Sequence, residues 1–106
     1  MTTFDKREKS YEAKFAHDQE NDFKIHARRN KLLGLWAAEQ LGLDGDEAEA
    51  YAKQVITADF DKPGDEDVFE KVWEDFQTGK VEVSAHRLRN RMDELLEEAR
   101  RQVTSE

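Results

Sequence analysis

The residues best suited to chemistry lie in an acidic break, DFDKPGDEDVFE, which spans residues 59–70. Aligned with a twelve-residue calcium loop, this stretch has Gly64 at position six but Pro63, which lacks a side-chain oxygen, at position five. Glu66 stands at position eight, where an apolar residue is usual. Helix capping explains the same acids, and we favour that structural role over calcium. The candidate calcium ligands at positions one, three, nine and twelve are Asp59, Asp61, Asp67 and Glu70.

Serines, histidines and glycines show no catalytic arrangement. Ser84 is placed to cap a helix, and the glycines form neither of the phosphate-binding motifs GxxxxGK and GxGxxG. Without cysteine, the chain has no disulfide framework and no thiolate chemistry. We therefore expect a protein that is not an enzyme and that needs no cofactor. Three scattered histidines lack metal-ligand spacing and are predicted to be solvated: His17, His26 and His86.

Positive charge is concentrated in the first third of the chain. Residues 1–38 hold eight Lys and Arg against six Asp and Glu, whereas residues 39–82 hold four against fourteen. The net charge of −8 and this acidic middle argue against general nucleic-acid binding. The basic stretch HARRNK, residues 26–31, places its charges opposite Leu32 and Trp36 on a helix. We predict that it forms a solvated face rather than a phosphate site.

The N-terminal stretch FDKREKSYEAKF, residues 4–15, carries three aromatic residues among charged neighbours. At about 100° per residue, the three rings fall within roughly 40° of one another on a helix. Such a stripe is too narrow to hold a helix on a core, and it predicts a segment that orders when it docks in a groove on a partner. The predicted partner contacts are Phe4, Arg7, Tyr11, Lys14 and Phe15.

The apolar residues change from one face to another along the first predicted helix. HDQEND, residues 17–22, has no apolar residue, and Ile25, Leu32 and Trp36 then line up on another face. One continuous helix could not press both stripes onto the same core. We therefore divide the chain into an arm, residues 1–20, and a bundle domain, residues 21–106, whose first helix covers residues 23–41 and stops at Gly42.

Three further helices are predicted from their boundaries and apolar spacing. The second begins at Asp44, with Glu47 completing a capping-box pair, and breaks at Pro63 and Gly64. Gly79 ends the third. The fourth is capped by Ser84 and carries one apolar stripe. The predicted fold is all-α, a small four-helix bundle with a flexible or partly helical N-terminal arm. The fourth-helix stripe consists of Leu88, Met92, Leu95, Leu96, Ala99 and Val103.

The composition limits where the protein can act. Hydrophobic residues make up 37% of the chain and charged residues 40%, so the core is modest. No apolar run approaches the roughly 18–20 residues of a membrane span, and the polar N-terminus lacks a signal core. We expect a cytoplasmic protein that does not insert into the membrane.

Four blocks of sequence carry a resemblance to a known family. They are YEAKFAHDQE (11–20), ARRNKLLGLWAAEQLGL (27–43), DGDEAEAYAKQVITADF (44–60) and GDEDVFEKV (64–72). The chain resembles the zeta-subunit family of ATP synthase inhibitors from alpha-proteobacteria, which are similar in role to the mitochondrial ATPase inhibitor protein. The likeness weakens after Trp73. Tyr11 stands where phenylalanine is usual in the family, so its pocket must tolerate a hydroxyl.

The resemblance implies a four-helix fold and an inhibitory role. The partners it implies are the catalytic alpha and beta subunits of ATP synthase and the central stalk, which places the protein peripheral to the inner membrane. The inhibitory part is the N-terminal region, about residues 1–19 here, which enters a catalytic alpha/beta interface and obstructs rotation in the hydrolytic direction. The alternative is a nucleotide- or calcium-sensing helical module whose arm is incidental.

Overall fold

The computed structural model describes the backbone of residues 2–61 and 65–105, and the side chains of residues 21–59 and 65–105. Over these residues the chain forms four α-helices and no strand, which confirms the predicted all-α fold. None of the helices found there is long and apolar enough to cross a membrane. The helices are α1 (Thr2–Gln40), α2 (Gly45–Asp61), α3 (Asp65–Thr78) and α4 (Ala85–Thr104).

Helix α1 is 39 residues long and continues without interruption from the predicted arm into the bundle. Its partner α4 runs antiparallel to it. Ile25 packs with Ala99 and Val103 near the end of α4, and Arg28 Nη1 donates a 2.9 Å hydrogen bond to Gln102 Oε1. Because α4 ends at Thr104, this contact marks the end of the described α1–α4 packing.

Two of the predicted helix boundaries are confirmed by their hydrogen bonds. Gly42 adopts a φ of 79° after α1, which lets the Leu43 amide donate to Ala38 O at 2.8 Å. The left-handed glycine and this hydrogen bond together form a Schellman C-cap. Ser84 caps α4, since its Oγ accepts the Arg87 amide at 3.0 Å.

Helix α3 ends at Thr78, immediately before Gly79, as predicted. The left-handed residue is Lys80, at a φ of 56°, and the Val81 amide donates to Phe76 O at 2.9 Å. A Cβ at Gly79 would lie 2.8 Å from Leu41 Cδ2, which is the end of a flexible side chain and could move aside. The residue that follows α1 therefore packs closely against the end of α3.

The principal core lies where all four helices meet. Phe76 is fully buried, and the Trp36 ring meets it edge-on at 5.8 Å between centroids. Trp36 and Trp73 pack against the core from its edge. Burying the large side chains of such a core contributes about 1.5–3 kcal/mol each. The fully enclosed apolar residues include Leu33, Val55, Val68, Val72, Phe76 and Leu88.

Helices α1 and α2 approach each other closely at Gly34. A Cβ at Gly34 would lie 2.6 Å from Ala52 Cα, which is a backbone atom that cannot move alone. The side of α1 that carries Gly34 is therefore the side that faces α2. Small residues on this side let the two backbones pack without a layer of large side chains between them.

Candidate partner-docking site

The five predicted contacts of the arm lie in the first half of α1. The helix covers all five positions, but their side chains fall outside the described residues. Their role as partner contacts therefore stays a prediction. The backbone does place them on the same continuous helix that enters the bundle at Ile25. The five positions are Phe4, Arg7, Tyr11, Lys14 and Phe15.

Helix α1 meets the bundle at a small apolar cluster. Ile25 is 4% exposed and packs with Ala99 and Val103, with Leu32 and Leu96 partly buried around them. Among the described side chains, those of this cluster come from α1 and α4. The two helices pack antiparallel to each other where the arm leaves the bundle.

Immediately before this cluster, α1 exposes an aromatic side chain. Phe23 has 59% of its surface exposed, and Asp22 and Lys24 beside it are also exposed. The apolar stripe predicted for this helix, Ile25, Leu32 and Trp36, does not include Phe23. It became visible only when the structure showed which side of α1 faces α4, because an aromatic residue at the start of a core helix otherwise suggests core.

The predicted solvated basic face at residues 26–31 is wrong for two of its residues. Arg29 and Asn30 are each 1% exposed. Arg29 Nε donates to Asn30 Oδ1 at 2.7 Å, and Arg29 Nη2 donates to Asp65 Oδ1 at 2.8 Å. Asn30 Nδ2 in turn donates to Asp59 Oδ2 at 3.0 Å. Arg29 and Asn30 therefore bind the acidic break, whereas Lys31 of the same stretch is exposed.

This polar network ties α1 to the ends of α2 and α3. Arg29 follows Ile25 and precedes Leu33 at intervals of four residues, which puts it on the buried side of α1. Its charge is tolerated there because Asp65 lies within hydrogen-bond distance. The hydrogen bond and charge of Arg29 hold the pKa of the Asp65 carboxyl below its usual range, against the opposing effect of partial burial.

The candidate calcium residues lie on helices rather than in one long loop. Helix α2 continues to Asp61 and α3 begins at Asp65. Asp59 accepts a hydrogen bond from Asn30, and no group of three metal-ligating side chains is found among the side chains described. Because the Asp61 side chain lies outside these residues, the four-residue ligand set remains an untested hypothesis.

A second polar cluster links α2 and α3 on another side of the bundle. Tyr51 Oη donates to Asp75 Oδ2 at 2.8 Å, and Lys71 Nζ contacts the same oxygen at 2.8 Å and Gln54 Oε1 at 3.0 Å. Burial, reinforced by the Asp75 hydrogen bond, raises the pKa of Tyr51 well above its usual range. The hydroxyl thus stays protonated and stabilises the α2–α3 contact. The shallow groove beside it holds Lys53, Thr57 and Ala58.

These features define a small helical protein whose exposed aromatic residue lies where a long helix leaves the bundle. The sequence profile of the family described as ATPase inhibitor subunit zeta matches residues 1–102. The chain therefore belongs to the ATPase inhibitor subunit zeta family, as the resemblance predicted. The description of this family names an inhibitor of an ATPase and implies a regulatory protein that associates with ATP synthase.

The fold is shared with a protein whose structure was solved by solution NMR. The two chains are 44% identical and superpose with a TM-score of 0.69. The match covers 78% of this chain and 94% of the other. A search of curated proteins finds no match.

Proposed function

We propose that this protein binds the catalytic head of the rotary ATP synthase and blocks ATP hydrolysis by inserting residues 1–19 at a catalytic alpha/beta subunit interface. The observation that carries the proposal is the continuity of α1. One helix, Thr2–Gln40, joins the N-terminal segment to the bundle, and the match to the inhibitor family begins at residue 1. A helix held at one end by a folded domain is suited to insertion into a cleft.

The dimensions of the molecule support insertion of the helix alone. A single α-helix is about 10–12 Å across, and residues 1–19 span roughly 28 Å at about 1.5 Å per residue. The whole molecule measures 65 × 25 × 23 Å. A cleft that admits one helix excludes the wider bundle, so the bundle limits the depth of insertion and stays outside.

Inhibition of this kind requires no catalytic residue in the inhibitor. Catalytic alpha/beta interfaces must open and close during rotation, and a helix lodged in one of them stabilises a single conformation. It inhibits only to the extent that it binds that conformation better than the others. Contact with the central stalk would add resistance to rotation. The protein would then be cytoplasmic and peripheral to the inner membrane, attached through the ATP synthase.

Titration of the full chain into the isolated catalytic head tests the proposal. ATP hydrolysis is expected to fall to a low residual rate at saturation, with a concentration dependence that reports the affinity. Bovine serum albumin at the same concentration controls for nonspecific effects. An unchanged hydrolysis rate at micromolar concentrations of the folded chain would contradict the proposed function.

A further inference from the structure

Three consecutive residues of α1 each donate a hydrogen bond to a different helix of the bundle. Consecutive side chains of an α-helix point about 100° apart, so the three donors reach α4, α3 and α2 in turn around α1. We call these three residues the polar collar. Its bonds are Arg28 to Gln102 of α4 at 2.9 Å, Arg29 to Asp65 of α3 at 2.8 Å, and Asn30 to Asp59 of α2 at 3.0 Å.

The polar collar lies at the level of the bundle where the other three helices begin or end. Gln102 lies two residues before the last residue of α4, Asp59 lies two residues before the last residue of α2, and Asp65 is the first residue of α3. Helix α1 continues past this level toward the N-terminus. The collar therefore holds α1 at the base of the segment that carries the arm.

Two members of the collar are buried polar side chains. Arg29 and Asn30 are each 1% exposed, and Arg29 Nε donates to Asn30 Oδ1 at 2.7 Å, so the bonds to α3 and α2 are joined to each other. Replacing a buried ion pair with apolar residues of similar volume is often neutral for stability. The collar is therefore better explained by the helix arrangement that it selects than by the stability that it adds.

Hydrogen bonds constrain the position of α1 more tightly than apolar packing does. The contact of Ile25 with Ala99 and Val103 has no directional requirement, whereas a hydrogen bond weakens steeply when its distance or angle changes. A shift of α1 by one turn, about 5.4 Å, would break all three bonds of the collar at once. A rotation of α1 about its own axis would also pull the three donors away from their acceptors.

We propose that Arg28, Arg29 and Asn30 are positioning residues that fix the direction in which α1 carries the inhibitory arm out of the bundle. This inference rests on the proposed function, in which the arm enters a cleft while the bundle stays outside. Phe4 precedes Arg29 on the same unbroken helix by roughly 37 Å, at about 1.5 Å per residue. A tilt of about 10° at the collar would move the backbone at Phe4 by roughly 6 Å, which is about half the width of a helix.

The expected effect on inhibition follows from the fraction of molecules whose arm points in the right direction. The apparent dissociation constant rises in inverse proportion to the fraction of molecules in the binding-competent arrangement. Lowering that fraction to roughly a tenth or a hundredth raises the half-inhibitory concentration roughly ten- to a hundred-fold.

The test uses the double variant Arg29→Met/Asn30→Leu in the full chain, assayed by inhibition of the isolated catalytic head. The variant removes the buried charge together with its buried hydrogen-bond partner and keeps similar side-chain volumes. We therefore expect a folded bundle whose melting temperature stays within about 8 °C of the unaltered chain. The half-inhibitory concentration should nevertheless rise at least about tenfold.

Two controls separate positioning from charge and from stability. Lys31→Met removes an exposed positive charge from the next position of α1 and should inhibit as the unaltered chain does. Val55→Ala removes fully buried apolar contacts of α2, so it should lower the melting temperature without weakening inhibition at temperatures where the chain is folded.

Spin labels measure the direction of α1 without the catalytic head. The chain contains no cysteine, so Asp22→Cys and Glu49→Cys supply two labelling sites, one on α1 just before the collar and one on α2. Both positions are exposed. The distribution of distances between the labels should broaden or shift in Arg29→Met/Asn30→Leu and stay unchanged in Lys31→Met.

A second variant, Arg28→Met, tests the same inference at the less buried member of the collar. It removes the bond to α4 and should change both measurements in the same direction by a smaller amount. Inhibition by Arg29→Met/Asn30→Leu equal to that of the unaltered chain would overturn the inference. A loss of inhibition with an unchanged distance distribution would also overturn it, because these residues would then act on the head without positioning α1. If the unaltered chain itself does not inhibit the head, the proposed function is wrong, and the distance measurement alone decides whether the collar positions α1.

Discussion

Removal of residues 1–19 is expected to abolish inhibition of the catalytic head while the bundle stays folded. If Phe4, Tyr11 and Phe15 are buried in the cleft, they contribute about 1.5–3 kcal/mol each, so their loss lowers affinity by at least about a thousand-fold. The core is built from residues that follow the deletion, beginning with Ile25. Hydrolysis assays measure the first effect, and circular dichroism with thermal unfolding measures the second.

A full-length control distinguishes the contribution of the arm's aromatic side chains to inhibition from the contribution of its length. Replacing Phe4, Tyr11 and Phe15 together with Ser keeps all residues and should give nearly the same loss of inhibition as the deletion. If the truncated chain inhibits as strongly as the full chain, the inhibitory surface lies on the bundle. Retained inhibition in the triple variant alone would mean that other residues of the arm carry the contact.

Asp65→Asn is expected to cause the largest loss of stability from a single charge. The change leaves the Arg29 guanidinium, 1% exposed, without the carboxylate that lies 2.8 Å away. Breaking a fully buried ion pair from one side costs about 3–5 kcal/mol. The Asp65 side chain is 57% exposed, so solvent screens part of this loss and we expect about 2 kcal/mol. Urea unfolding followed by circular dichroism measures the change.

Glu66→Gln is the matched control for this substitution. Glu66 is the next residue on α3 and pairs with Arg89, but both side chains of that pair are largely exposed. Removal of the Glu66 charge is expected to leave the free energy of unfolding unchanged within error. If Glu66→Gln destabilises the protein as much as Asp65→Asn, the burial of Arg29 does not determine the cost.

The same pair predicts a pH dependence with a definite sign. The folded-state pKa of Asp65 is lowered, so its contribution to stability is present above the unfolded pKa of about 4 and is lost as pH falls through the folded value. The stability difference between the unaltered chain and Asp65→Asn should therefore be constant near neutrality and shrink below about pH 4. A difference that persists at pH 2 would show that the carboxylate charge is not its origin.

The sequence predicts the helices and two of their ends because those features depend on neighbouring residues. Gly42 and Ser84 satisfy backbone groups within a few residues of themselves, so local patterns reveal them. Arg29 is different, because its burial depends on Asp65, which is 36 residues away. The sequence signal for this burial was a charged residue spaced four residues from both Ile25 and Leu33. The acidic break offered the opposite charge to pair with it.

The candidate site was only partly predictable for a related reason. The exposure of Phe23 depends on how the helices pack, which no local sequence pattern reveals. The arm contacts depend on a partner whose surface is not encoded in this chain. Aromatic spacing therefore identifies Phe4, Tyr11 and Phe15 as candidates without establishing what they touch.

Photo-crosslinking from position 11 tests insertion of the arm most directly. A photoreactive phenylalanine analogue in place of Tyr11 should form adducts with the catalytic alpha or beta subunit when the protein inhibits the head. The control position is Glu49, which is exposed on α2 near the end of the bundle remote from the arm. Adducts with these subunits are expected from position 11 and none from position 49. The absence of alpha or beta adducts from position 11 under full inhibition, or equal yields from both positions, would contradict insertion of the arm.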